Sequence, residues 1–430
     1  MLRLSLLTAL LVAASWVGVG ALAAPPSKLE VFAKLSPERD WPWWRGPMRN
    51  GLAADNATPP TQWDSETNVV WKTPVPGRGH ASPVVVGDRI FLATADEKAK
   101  VQSVVAFDRA TGKQLWQTEV SQGGFVERTH PKNTEATSTI ASDGERVIAT
   151  FCHHKTIEAV ALDLEGKELW RTTVGPFDPQ KYQFGYAPSP LIYKNTVIIA
   201  LEWDRDSFLY ALDLATGKET WRAPRPDNVS YSSPVVAHVA GRDQLLISGA
   251  NLVASYDPNN GKPLWSVEGT TDATCSTMVW EGDLVFGTGG YPGSETLAVR
   301  ADGSGEVVWR NRQRCYEQSM LVHDGYLYSF TDSGVAYCWR TSDGEQQWTQ
   351  RLKGPVSASP VFANGNIYQA NEAGLMYVFK ATPERFELVA ENQLGTEAFA
   401  SPVLLGKHVF LRVAQQEKDQ RQEYLYCLGE

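Results

Sequence analysis

Several familiar signatures are missing from this 430-residue chain. There is no Gly-x-Ser-x-Gly nucleophile elbow and no glycine-rich phosphate loop, so the common serine-hydrolase and nucleotide-binding readings have no footing. The five cysteines, Cys152, Cys275, Cys315, Cys338 and Cys427, are scattered and form no CxxC, which argues against a zinc site. No basic run interrupts a formal net charge of −9, so neither nucleic acid nor simple adhesion to anionic lipid is expected. Beyond the first two dozen residues no apolar stretch reaches membrane-spanning length. Low-complexity tracts are absent, and 43% hydrophobic with 21% charged residues is a globular composition.

The N-terminus reads as a secretion leader. Arg3 supplies the positive end, Leu4 to Val19 is apolar, and Ala21-Leu22-Ala23 is a small-x-small cleavage site, which sets a signal peptide over residues 1–23. An uncleaved anchor is the rival, because Leu4 to Ala24 carries no charge and is just long enough to span a bilayer. No Cys precedes Cys152, so an N-terminal lipid on cysteine is excluded. The expectation is an exported protein, periplasmic or extracellular, in which one cysteine pair has the chance to oxidise. Cys275 with Cys315 is the pair to test.

Fifteen Trp is high usage, and most of them recur in phase. A phrase Ala-x-Asp-x-x-x-Gly-x-x-x-Trp stands at Ala106-Phe107-Asp108 to Gly112 and Trp116, and again at Ala211-Leu212-Asp213 to Gly217 and Trp221. Altered copies end at Trp170, Trp265, Trp309 and Trp348, and a seventh keeps only Leu388 in the Trp slot. Trp71 is a Trp strand with no repeat before it. A second phrase opens each unit: Ser82-Pro83, Ser138-Thr139, Ser189-Pro190, Ser233-Pro234, Ser276-Thr277, Ser319-Met320, Ser359-Pro360 and Ser401-Pro402. Tight-hairpin pairs such as Asp324-Gly325 and Asn364-Gly365 follow many of these starts. Four antiparallel strands in each such unit make one propeller blade. The fold expected is therefore all-β, an eight-bladed β-propeller over residues 68–430. The last unit is one strand short, so the orphan strand at Trp71 is expected to close it and remove the open sheet edge. Cys338 and Cys427 fall in the small-residue slot of Ala106 and are expected in the core.

These repeats resemble the quinoprotein-like, tryptophan-docking propellers. That superfamily includes alcohol dehydrogenases dependent on pyrroloquinoline quinone (PQQ) and the propeller lipoprotein of the outer-membrane β-barrel assembly machinery. The likeness covers roughly residues 68–428. Ahead of it, residues 24–67 form a Trp-rich arm in which Asp40-Trp41-Pro42-Trp43-Trp44-Arg45-Gly46-Pro47 resembles the N-terminal signature of exported bacterial proteins of the same kind. The arm is expected to dock its rings on the propeller. Holding a partner is the alternative, since rings at this density would otherwise be exposed.

Strand order sends the longer connections, from second to third strand and from blade to blade, to one face, where function is expected. Candidates there for a partner-binding face are Arg128, His130, Tyr182, Tyr186, Trp203, Asp204, Arg312, Arg314 and Glu317. His153-His154 suggests metal, but neighbouring side chains on a strand point to opposite faces, and no metal site is assigned. Two functions compete. One is an exported, non-catalytic scaffold that binds an envelope protein, with no cofactor. The other is a PQQ- and Ca²⁺-dependent dehydrogenase oxidising an alcohol or sugar. A quinone site needs a stacking ring, cations for three carboxylates and oxygen ligands for a divalent ion. Trp203, Arg205, Glu135 and Glu372 are the residues that could take those parts. The resemblance implies adjacent bridged cysteines for such an enzyme, and this chain has none. A glycan-binding module stands third.

Overall fold

A computed structural model describes residues 32–418 and 420–430; the expected leader, residues 1–23, lies outside them. The described residues form eight four-stranded antiparallel sheets, seven with their strands in sequence order and one that joins the first strand of the chain to the last three. Blade 1 comprises Val84–Val86, Arg89–Asp96, Val101–Asp108 and Gln114–Gln122. Blade 8 comprises Val403–Leu405, His408–Glu417 and Gln420–Leu428, completed by Val69–Val75. In that closing pair Trp71 stands opposite Cys427. Among the described residues no helix is long and apolar enough to cross a membrane.

Turn chemistry sets the inner hairpins. Asp324 and Gly325 take φ of 50° and 80°, and Asn364 and Gly365 take 47° and 73°, the pair of left-handed residues that a type I′ turn requires. The phrase carrying Asp builds the outer turn: the Asp108 carboxylate accepts the Thr111 amide at 2.8 Å, and Asp213 accepts that of Thr216 at 2.9 Å.

Between blades the Trp does the joining. It faces the small-residue slot of the strand beside it, as in Ala106 opposite Trp116, Ala211 opposite Trp221 and Cys338 opposite Trp348, each followed by a bulge. At several junctions its indole N–H reaches the next blade: Trp116 donates to Leu164 O at 3.0 Å, Trp170 to Leu214 O at 3.0 Å and Trp309 to Thr341 O at 2.8 Å, whereas Trp265 donates to Gln244 of its own blade at 2.7 Å. The glycine of that next blade's outer turn lies under the ring. At Gly217, with φ of 69°, an added Cβ would stand 2.5 Å from Trp170 Cε3.

Three details differ from the sequence reading. Register puts Thr139 and Thr277, not Ser138 and Ser276, level with the other blade-opening serines, each two residues before its strand. In blade 7, made of Val361–Ala363, Asn366–Ala370, Leu375–Lys380 and Leu388–Gln393, the Trp slot is Ala390, opposite Val378; Leu388 pairs with Phe379 beyond the bulge and is exposed. All five cysteines are free thiols. Cys315 accepts a bond from Ser329 at 2.8 Å and is not joined to Cys275.

Candidate functional site

The blade-opening residue of each sheet sits at the inner edge of the ring, and its hydroxyl oxygen accepts the amide N–H of the matching residue one blade earlier. Ser82 N–H donates to Thr139 at 3.0 Å, Thr139 to Ser189 at 3.0 Å, and Ser189 to Ser233 at 2.9 Å. Further round, Thr277 donates to Ser319, Ser319 to Ser359 and Ser359 to Ser401, each at 2.9 Å. Ser401 returns to Ser82 at 3.0 Å. The chain of bonds circles the axis except between Ser233 and Thr277. There the Trp44 indole N–H donates to Thr277 Oγ1 at 2.8 Å.

Trp44 belongs to the arm, which threads the channel from the hairpin side. Trp41 bridges Val85 on the innermost strand of blade 1, and Leu52 bridges Phe362 on that of blade 7. Arg45 is buried and donates to Pro360 O and Met320 O, both at 2.7 Å, one residue beyond the hydroxyl circle. Burial lowers its pKa to about 9, so it remains charged at neutral pH. Trp43 is buried with Arg49 over its ring at 4.5 Å. Trp41 and Trp43 are thus packed against the propeller, while Trp44 reaches its axis.

Above this plug lies a cavity of about 300 Å³ on the face of the long connections. Trp44 and six of the hydroxyl residues form its floor, and Phe184, Tyr231, Tyr291 and Tyr316 line its wall. The rim is charged. Lys132 lies 2.6 Å from Glu372 and 3.5 Å from Glu317, and the Ser357 hydroxyl is within hydrogen-bonding reach of both carboxylates, its one proton going to either. Burial raises Glu317, whereas the Lys132 pKa is raised against the pull of burial by its bond to Glu372 and by Glu317. Arg314 pairs with Asp332 at 3.2 Å. Cys275 faces the Tyr316 hydroxyl, and burial pushes its thiol up, away from the reactive thiolate.

The sequence candidates scatter around this site. His130, Arg314 and Glu317 line it, and Glu372 stands behind Lys132. Tyr182 packs at its edge with its hydroxyl 3.2 Å from Asp272. Arg128 lines a separate groove beside Phe125 and His154, Asp204 accepts the Gln180 and Lys181 amides nearby, and Arg205 and Arg312 are exposed. Tyr186 and Trp203 are corrections. Both are buried, Tyr186 with its hydroxyl on Ala200 O at 2.9 Å, so neither meets a partner's surface. Trp203 also does not line the axial cavity, nor does Glu135, which lies in a small space with Cys152 and Tyr186. The quartet imagined around a quinone is thus not brought together. His153 binds Glu158 at 2.9 Å. Trp44, Lys132, Tyr231, Tyr291 and the hydroxyl circle were not singled out as site residues, although the blade-opening phrase contains most of the circle.

Comparison with known proteins fits this architecture. A family model described as outer membrane protein assembly factor BamB matches residues 61–183, 100–291 and 293–383. Outer membrane protein assembly factor BamB of Yersinia pestis is 23% identical, covering 80% of this chain and 86% of its own. Polyvinylalcohol dehydrogenase of a Pseudomonas species is 22% identical, covering 78% and 73%. Among solved structures, a europium-containing methanol dehydrogenase superposes with a TM-score of 0.69 at 12% identity, over 92% of this chain and 99% of that one, a likeness of fold alone.

Proposed function

The chain belongs to the PQQ-like propeller family whose model is described as outer membrane protein assembly factor BamB, and from that premise we propose an exported, non-catalytic scaffold that captures an envelope protein at its axial pocket. The observation that carries this reading is the blind cavity with an aromatic wall and a rim whose charges are already paired. Glu317 and Glu372 share Lys132 and Ser357, and Asp332 holds Arg314, an arrangement suited to recognition. The relative described as an assembly factor supports a protein partner and an envelope location. No feature favours nucleic acid.

The relatives also include dehydrogenases, so the quinone reading must be weighed against the residues present. Trp44 offers a ring, and Lys132 and Arg314 offer cations for carboxylates. The metal half is not met: among the described residues no group of three or more His, Cys, Asp and Glu is placed to hold an ion. Adjacent cysteines are also lacking. These two features weigh toward the scaffold.

The test has two arms. Titration with PQQ and Ca²⁺, followed by absorbance and dye-coupled alcohol or sugar oxidation, is expected to give neither stoichiometric binding nor turnover; turnover would overturn the scaffold. A pull-down from envelope extract is expected to lose its partner in the Arg312→Ala/Arg314→Ala double variant, and retention there would remove this rim from the binding surface.

A further inference from the structure

We propose that the floor of the axial pocket is a carboxylate receptor, and that the partner supplies this group as its own C-terminal carboxylate; the nature of the partner rests on the scaffold reading above. Each circle hydroxyl except that of Thr277 spends a lone pair on the neighbouring blade's amide, and its own proton has no acceptor among the described residues. Six of them, Ser82, Thr139, Ser189, Ser233, Ser359 and Ser401, line the cavity and are more than nine-tenths buried. Buried donors left unmade are costly, so a ligand rich in acceptor oxygen is what this floor favours.

The second observation lies below the floor. Arg45 is buried, donates to backbone carbonyls, and feels burial with no carboxylate beside it among the described residues. An uncompensated cation at low dielectric projects a positive potential into the pocket, and an anion placed there gains more than it would in water. The shape then selects the source. The arm fills the channel beneath, so a strand cannot pass through, and a chain end is the part of a chain that suits a pocket closed at its floor. What enters is a chain end. An N-terminal ammonium would face donors and a buried cation, whereas a C-terminal carboxylate meets hydrogen-bond donors of the right sign.

The experiment uses the full mature chain with its arm, immobilised, and a pool of short peptides with randomised last residues, made once as free acids and once as C-terminal amides. Retention of the acids is expected to exceed that of the amides about tenfold or more, and N-acetylphenylalanine is expected to compete where its amide does not. Ser359→Asp keeps an acceptor for the Ser319 amide but replaces the donor with an anion; acid retention is expected to fall to the amide level with the melting temperature little changed. Equal retention of acids and amides would overturn the carboxylate receptor. So would retention of neither while the envelope partner is still captured, because the partner would then dock elsewhere. If no partner is captured either, the scaffold reading fails as well. Stoichiometric PQQ binding that excludes peptides would assign the floor to a small polycarboxylate instead.

Discussion

Trp63 solves a local problem that the repeat leaves open. Every other junction has a ring or its equivalent from the outer strand, but blade 7 offers Ala390 in that slot. The arm fills the vacancy. Trp63 is buried, lies parallel to Tyr368 at 6.4 Å, and takes the Asn392 side chain on its backbone N–H at 2.9 Å. Removing it leaves an unfilled wedge beside blade 7, so Trp63→Ala is expected to cost about 3–5 kcal/mol by urea unfolding. Glu135 makes a different prediction. Burial raises its pKa to about 7, above its unfolded value near 4.5, so the folded state holds a proton that the unfolded state has lost. Its contribution is intact below the unfolded value and is lost as pH rises toward 7. Glu135→Gln is expected to raise the melting temperature at pH 8 and leave it nearly unchanged at pH 4; no gain at pH 8 would show that the carboxyl is solvated. Neither Trp63 nor Glu135 reveals its environment by spacing, because the arm and the loops carry no periodicity to tell inside from outside. Tyr186 and Trp203 were assigned to the surface for the same reason.

The outer turn and its incoming ring form one joint. Gly112, with φ of 71°, stands where an added Cβ would lie 2.5 Å from Trp71 Cε3, and Thr73 donates to its carbonyl at 2.7 Å. Gly112→Ala combines a left-handed conformation with overpacking, and roughly 2–4 kcal/mol of destabilisation is expected. A loss below 1 kcal/mol in urea unfolding would mean that the joint yields freely. These joints were legible in the sequence because Gly and Trp recur at fixed distance. The hydroxyl circle was legible only as a row of strand starts. Its bonds run between residues 40 to 57 apart, and 319 apart where the circle closes, and nothing local states which hydroxyl faces which amide.

For the whole molecule, the decisive feature is that an arm outside the repeats turns a ring into a cup. Eight blades around an axis leave a channel, and residues 41–52 fill one end of it from the hairpin side. The number of blades and the closing strand followed from counting units, since each unit can bury its faces only against neighbours. The cup did not follow, because the Trp-Arg-Gly-Pro turn shows its purpose only against the inner strands of distant blades. A cup makes the two faces unequal, and the proposed binding site lies on the face with the long connections.

Site-specific photo-crosslinking in cells tests that asymmetry most directly. A benzophenone amino acid placed at Tyr291, in the cavity wall, is expected to capture an envelope protein, while the same group at Lys407, on the exposed hairpin face, is expected to capture none. Capture from Lys407 with silence at Tyr291 would contradict the axial pocket as the site of recognition.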